Sequence, residues 1–342
     1  RTELPFSVAG AHCFPDQAQF SPLRFLYALA KELKVYENTP VWNIEGSIVT
    51  FRGGKIRAQA VVVATHYPIL NSPGYYFLRM HQQRSYVVAL SGAPVLEGMY
   101  IDQEESGLSF RQAGGLLLLG GAGHRTGKNT EGGHYGQLIR HAGILYPQSV
   151  VQAMWSAQDC ITVDGVPFIG EYAASMPHVF VATGFNKWGM TGCMAASAFL
   201  ADRITGLKNA CAPVFSPRRF PVRASAGKLT VDGAEAVAGL GKQVLHQPVR
   251  TLDDLAPGHG GIVRHDGKKV GAYKDEEGRV FLVSTRCPHL GCELRWNPEE
   301  KTWDCPCHGS RFDYRGRLLD TPARRGAVNR RKAAANGVMI NK

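Results

Sequence analysis

Run length and alternation divide the chain into elements. Residues 19–33 hold apolar positions at helical spacing in SPLRFLYALAKEL, with Ser21 as cap and Pro22 at the first helical position, which predicts a helix. VWNI, IVTF and KIRAQ, separated by Glu45-Gly46 and Gly53-Gly54, predict tight hairpins, and AVVVAT predicts a buried strand. SYVVAL, LSFR and GLLLLG predict a second sheet, followed by a helix between Thr130 and Tyr146. Residues 179–206, VFVATGFNKWGMTGCMAASAFLADRITG, read as a buried strand, a glycine-rich loop and an amphipathic helix stopping at Gly206. Pro213, Pro217 and Pro221 then lead into a small-residue stretch, AGKLTVDGAEAVAGLGK. Period-two alternation returns in GGIVRHDGKKVGAYKDEEGRVFLVS, broken at Asp266-Gly267 and Glu277-Gly278 by hairpin turns.

These shifts predict an α/β domain with an antiparallel sheet over 1–208, a linker or closing segment over 209–255, a small all-β domain over 256–325 and a basic tail over 326–342. A length of 342 residues is enough for two domains with cores of their own. The chain opens at Arg1 inside ordinary domain sequence, so a fragment lacking its N-terminus is expected. No apolar run approaches the roughly 18–20 residues of a membrane helix. No signal peptide is recognisable, so the cytoplasm is the expected location. The net charge of +11 is lopsided. Arg324, Arg325, Arg330, Arg331, Lys332 and Lys342 close the chain without one acid, which fits a solvated tail better than a nucleic-acid surface.

The chemistry concentrates in two loops, CPHLGC at 287–292 and CPCHGSRF at 305–312. Four of the eight cysteines fall there, too close together for a secreted disulfide framework. A structural zinc would use four ligands and leave two residues over. A Rieske [2Fe–2S] centre takes two cysteines on one iron and two histidines on the other, one of each from each loop. Cys287 with His289, and Cys305 with His308, fit that division.

The segment resembles the cytochrome-bc type of Rieske domain, with Thr321-Pro322-Ala323 similar to its proline loop. Cys292 and Cys307 are then expected to form a disulfide strapping the loops, and the resemblance implies a hydrogen bond from Ser310 to the cluster. The imidazoles of His289 and His308 are expected to face solvent and pass electrons on. Phe312 departs from the high-potential members, which carry tyrosine there, and implies a lower potential.

FSPLRFLYALAKEL, TPVWNI with VVVATH, ITVDGVPFIGE and ATGFNKWGMTG resemble segments of the D-amino-acid-oxidase-like FAD oxidoreductases, the group of glycine oxidase and D-amino-acid dehydrogenase. The resemblance implies FAD held by Gly184, Phe185, Lys187, Gly189, Met190 and Thr191, with Val41 and Ala64 near the adenine half. No G-x-G-x-x-G precedes these segments. The expected reaction is oxidation of a C–N bond in an amine or amino acid, coupled to one-electron transfer through the cluster. The alternative is an electron carrier on an inactive flavin fold. The redox partner, protein or quinone, is not named by the sequence. Arg84 and Arg111, in the predicted sheet, are candidates to clamp a substrate carboxylate; His81, His124 and Tyr86 are weaker ones.

Overall fold

A computed structural model describes residues 2–104, 107–219, 248–328 and 338–339. Residues 220–247 of the expected linker and 329–337 and 340–342 of the expected tail lie outside these.

Helix α1 (Pro22–Ala30) starts where the sequence places it, with Ser21 Oγ accepting from Arg24 N at 3.5 Å. Three short strands, β1 (Val41–Glu45), β2 (Ile48–Phe51) and β3 (Gly54–Arg57), make a meander. Its turns put Gly46 and Gly53 at positive φ, which glycine adopts without strain. β4 (Val61–Val63) follows, then the long strand β5 (Met80–Ser91), β6 (Tyr100–Ile101), β7 (Ser109–Ala113) and β8 (Leu116–Arg125). Helix α2 (His134–Leu145) packs on β5 and β8, burying Leu138 and Ala142 against Tyr86, Val88 and Leu119. β9 (Val150–Thr162), which the hydrophobic pattern does not announce, pairs with β5 along its whole length. The sheet order is β6-β7-β8-β5-β9, antiparallel throughout.

β10 (Phe168–Glu171) and β11 (Val179–Thr183) join β4 in a second layer, with β11 parallel to β4. β11 is buried along its length and feeds a loop and helix α3 (Gly189–Thr205), which ends on Gly206 in the left-handed conformation. Helix α4 (Ala212–Phe215) closes this part.

The C-terminal unit holds two four-stranded sheets. β12 (Gly260–His265), β13 (Lys268–Lys274) and β14 (Val280–Val283) form one, with β19 (Val338–Met339) as a parallel edge. β15 (Arg295–Asn297), β16 (Thr302–Asp304), β17 (Arg311–Asp313) and β18 (Leu318–Asp320) form the other, antiparallel one. Leu252 and Leu255 pack on Val263 and Val270, so the unit begins ahead of residue 256. The expected solvated tail begins later than 326, because Ala327 is buried and its N–H and carbonyl both pair with Gly316 or Ser284. Among the described residues no helix is long and apolar enough to cross a membrane.

Candidate metal centre and its docking face

The two cysteine loops are built alike. In each, the amide of the fifth residue closes a turn on the carbonyl of the first: Gly291 N to Cys287 O at 3.0 Å and Gly309 N to Cys305 O at 2.9 Å. Both glycines sit at positive φ, 89° and 77°. This turn brings Cys and His of each loop to one end of the unit, beside Trp303 and Phe312. Cys292 and Cys307 form a disulfide joining the loops, with Cα atoms 6.6 Å apart. Cys287 and Cys305 are free and buried.

Cys287 donates to the Cys305 sulfur, which with burial holds its own thiol well up, while the Cys305 thiol is pulled down by that bond and by the N–H groups of His308 and Cys307. The Ser310 hydroxyl favours the charged form of Cys287 and accepts the Ala323 N–H at 2.9 Å. Burial pushes the His289 imidazole down to about 4, so it is neutral near pH 7. Its Nε2 donates to Asn71 Oδ1 at 2.6 Å, which leaves the lone pair on Nδ1, and Nδ1 is buried without a hydrogen-bond partner. The rings of His289 and His308 lie 4.9 Å apart. Two buried sulfurs in contact, one of them drawn toward its charged form, and a neutral imidazole with its Nδ1 free beside a second imidazole fit a [2Fe–2S] centre of the Rieske type.

His308 does not face solvent, and His289 is half-buried. His308 is 4% exposed, and its ring lies 5.7 Å from that of Phe77, while His289 meets Tyr67, Phe77 and Asn71. The expectation of solvent-facing imidazoles is therefore corrected. The end of the metal unit that carries them is covered by β5, β9 and the segment before β5. Gln82 Nε2 donates to His308 O at 2.7 Å and Thr321 O at 2.9 Å. Gln158 Nε2 donates to Gln82 Oε1 at 2.7 Å and Gly309 O at 2.9 Å, and Thr126 secures Gln158. Burying these amides is tolerable because their hydrogen-bonding groups are met.

Two further contacts lock the face. Arg84, 3% exposed, pairs with Glu300 at 2.6 Å, and Glu300 also meets Arg311 at 3.1 Å. Arg84 is therefore consumed by the domain contact and is not a substrate clamp; Arg111 is exposed on β7. Glu299 reaches the start of α2 and accepts from His134 N at 3.1 Å and Tyr135 N at 2.7 Å. Beside it, Tyr86 stacks on His124 and His134, so these weaker candidates also sit on the docking face. Burial and the neighbouring His134 push the His124 imidazole down to about 4. His81 lies on β5 opposite Ile161 of β9. At Gly127, φ is +78° and a Cβ would stand 2.5 Å from Pro306 N, in the backbone of the second cysteine loop. Gly127→Ala is expected to weaken docking by about 1–3 kcal/mol, read as faster proteolysis between the domains with the metal content retained.

The loop between β11 and α3 lies at the near end of the same sheet. Gly184, at φ +73°, leaves no room for a Cβ beside Thr162 and would meet Met80 Sδ at 3.3 Å. Asn186 fastens the loop to β9: its N donates to Cys160 O at 3.2 Å and its Oδ1 accepts Thr162 N at 2.9 Å. Lys187, Gly189 and Thr191 are exposed, Phe185 and Met190 half-buried, and α3 has no side-chain cap, so its first amides are open to an anionic group. Val41 is half-buried in β1 and Ala64 exposed after β4. Met80 touches this loop, and Gln82, two residues on, holds the metal-ligand loop. Along a strand that is about 7 Å.

The FAD dependent oxidoreductase family matches residues 1–203, and the Rieske [2Fe-2S] domain matches residues 246–331. A protein of Bacillus subtilis (strain 168), YhfW, named as a Rieske 2Fe-2S iron-sulfur protein, is 36% identical over 337 residues. The alignment takes in 94% of this chain and 66% of that protein, so the chain spans just under two thirds of the relative's length. The cytochrome b6-f complex iron-sulfur subunit 2 of Trichormus variabilis is 46% identical over 43 residues, 13% of this chain and 24% of that one. Among solved structures, glycine oxidase from Geobacillus kaustophilus aligns with a TM-score of 0.48 at 24% identity, over 54% of this chain and 53% of that one.

Proposed function

From the premise that this chain belongs to the FAD-dependent oxidoreductase family and carries a Rieske [2Fe-2S] domain, we propose that it couples oxidation of a C–N bond to single-electron transfer within one molecule. Bound FAD supplies acceptance of a hydride equivalent, and the bound cluster supplies one-electron chemistry. Cys287 and Cys305 would hold one iron, His289 and His308 the other, under the Cys292–Cys307 strap. Gly184, Phe185, Lys187, Gly189, Met190 and Thr191 would cradle the flavin ring, with Val41 and Ala64 toward the adenine half. The proposed domain limits are those read from the sequence, with the start of the Rieske unit moved ahead of 256 and the start of the tail moved beyond 327.

One observation carries this reading. The loop proposed for the flavin rests on Met80 and the loop proposed for the cluster on Gln82, so two positions on one face of a single strand would serve both centres. The histidine edge meets this chain's own sheet, which supports transfer inside the molecule over delivery to an external partner at that edge. Anaerobic mixing of the FAD- and iron-loaded protein with amines and amino acids tests it: flavin bleaching should be followed by a reduced-cluster EPR signal. A cluster that cycles while no such compound bleaches the flavin would make the chain a carrier instead.

Ser310 gives a prediction on the cluster alone. Reduction adds negative charge, and a hydroxyl donating to a cluster sulfur stabilises it. A hydrogen bond to a charged acceptor contributes about 1.5–3 kcal/mol, so Ser310→Ala should lower the midpoint by up to roughly 60–130 mV at 59 mV per tenfold. Phe312→Tyr should raise it. Protein-film voltammetry at fixed pH reads both shifts.

A further inference from the structure

We propose that Asn71 is a positioning residue of the metal centre: the oxidoreductase domain uses this amide to fix the His289 imidazole and to tune the potential of the iron it binds. The inference rests on His289 as an iron ligand, proposed above, and adds that one determinant of the cluster lies outside the Rieske domain.

A neutral imidazole that gives its Nδ1 lone pair to iron carries its proton on Nε2 and must donate there. Nε2 meets Asn71 Oδ1 at 2.6 Å, and among the described residues this is the ring's one hydrogen bond. An amide oxygen accepts and cannot donate. It therefore holds that tautomer, which a hydroxyl or a water molecule, able to do either, would not. The ring is also walled in. Tyr67 and Phe77 stand edge-on to it, with centroids 6.5 and 6.4 Å away and planes at 79° and 84°.

The segment that brings Asn71 here is tied on both sides. The carbonyl of buried Leu70 accepts the Tyr172 hydroxyl at 2.7 Å, and the Tyr75 amide closes on Asn71 O at 3.2 Å. Tyr67, Leu70, Tyr76 and Tyr172 belong to one core. The acceptor is thus held by the core of the other domain. Gln82 and Gln158 grip backbone carbonyls and Arg84 grips a carboxylate, so these contacts dock the unit without reaching a ligand side chain. Asn71 reaches one. An acceptor on the far nitrogen makes an imidazole a stronger donor to its metal. A stronger donor favours oxidised iron, so Asn71 lowers the midpoint, against the effect of Ser310.

Two variants of similar size test this in the iron-loaded chain at fixed pH. Asn71→Leu removes the acceptor and should raise the midpoint by about 59 mV, a tenfold change in a one-electron equilibrium. Asn71→Asp supplies a charged, stronger acceptor and should lower it by about as much. Loss of a mere domain contact would carry both midpoints the same way, so opposite shifts separate positioning from packing. Pulsed EPR of the reduced cluster gives a second readout: the far-nitrogen couplings of one imidazole should change and those of the other stay. Midpoints that stay put or move together, or couplings unchanged in both variants, overturn the inference while leaving the cluster in place. A parent with no [2Fe–2S] signal would end the ligand assignment and this inference with it.

Discussion

Alanine in place of His308 is expected to leave under about a tenth of the iron and acid-labile sulfide of the parent, which should hold about two of each per chain. Each iron of such a centre has two protein donors, so removing one imidazole halves the protein's hold on its iron. No side chain among the described residues is placed to replace it: the other two sulfurs nearby are tied up as the Cys292–Cys307 disulfide. Cys287→Ser should have the same effect. The contact that Gln82 makes with residue 308 is to its backbone carbonyl and survives the substitution, so cluster loss and domain undocking are separable. Metal and sulfide assays, with the rhombic EPR signal of the reduced parent, read the result. One zinc and no sulfide in the parent would refute the assignment. Cys292→Ser is the contrast. It opens a loop with a sequence separation of 15, and a loop of that length is worth about 3 kcal/mol; it should destabilise the domain while leaving a cluster.

Glu300→Ala should lower stability by about 3–5 kcal/mol, the range for removing one partner of a buried ion pair. Glu300 is 12% exposed and faces Arg84 at 3% and Arg311 at 7%. Without it, the two guanidinium groups keep, among the described residues, Asp304 and Asp320 as counter-charges. Burial raises the Glu300 carboxyl, but Arg311, Arg84 and the Ser156 hydroxyl outweigh it, and the group ends below its usual range. Its contribution is thus complete above the unfolded carboxyl value of about 4.3 and is lost as pH falls through the lower folded value. Denaturant unfolding at pH 7 and again below about pH 4 reads both parts. An unchanged midpoint in the variant would show that the contact does not hold the domains together.

What could be read in advance was local. The cysteine and histidine spacing in CPHLGC and CPCHGSRF, the glycine turns at Gly46, Gly53, Gly267 and Gly278, and the strand–loop–helix of 179–206 each depend on residues near one another in the chain. β9 escaped because VVQAMWSAQDCIT is mostly exposed or half-buried along its length. Gln158, which reads as a solvent residue, faces another domain. The burial of His289 and His308 was equally invisible. It depends on Asn71 and Gln82, 218 and 226 residues away. Arg84 read as a free cation for the same reason, since its partner Glu300 lies 216 positions on.

The start of α2 has no capping side chain of its own; Gly133 stands at the cap, and the first amides are met by Glu299 from the other domain. Such a cap stabilises a helix by about 0.5–2 kcal/mol, helped by the helix dipole. The two domains are therefore separate in sequence but not in cooperativity. Unfolding of the Rieske unit should uncap α2 and loosen the sheet beneath it, so calorimetry should meet one transition where the domain count suggests two. The same feature limits modular exchange: a Rieske unit grafted from a free-standing protein would need an acidic residue at position 299 to complete a helix that is not its own.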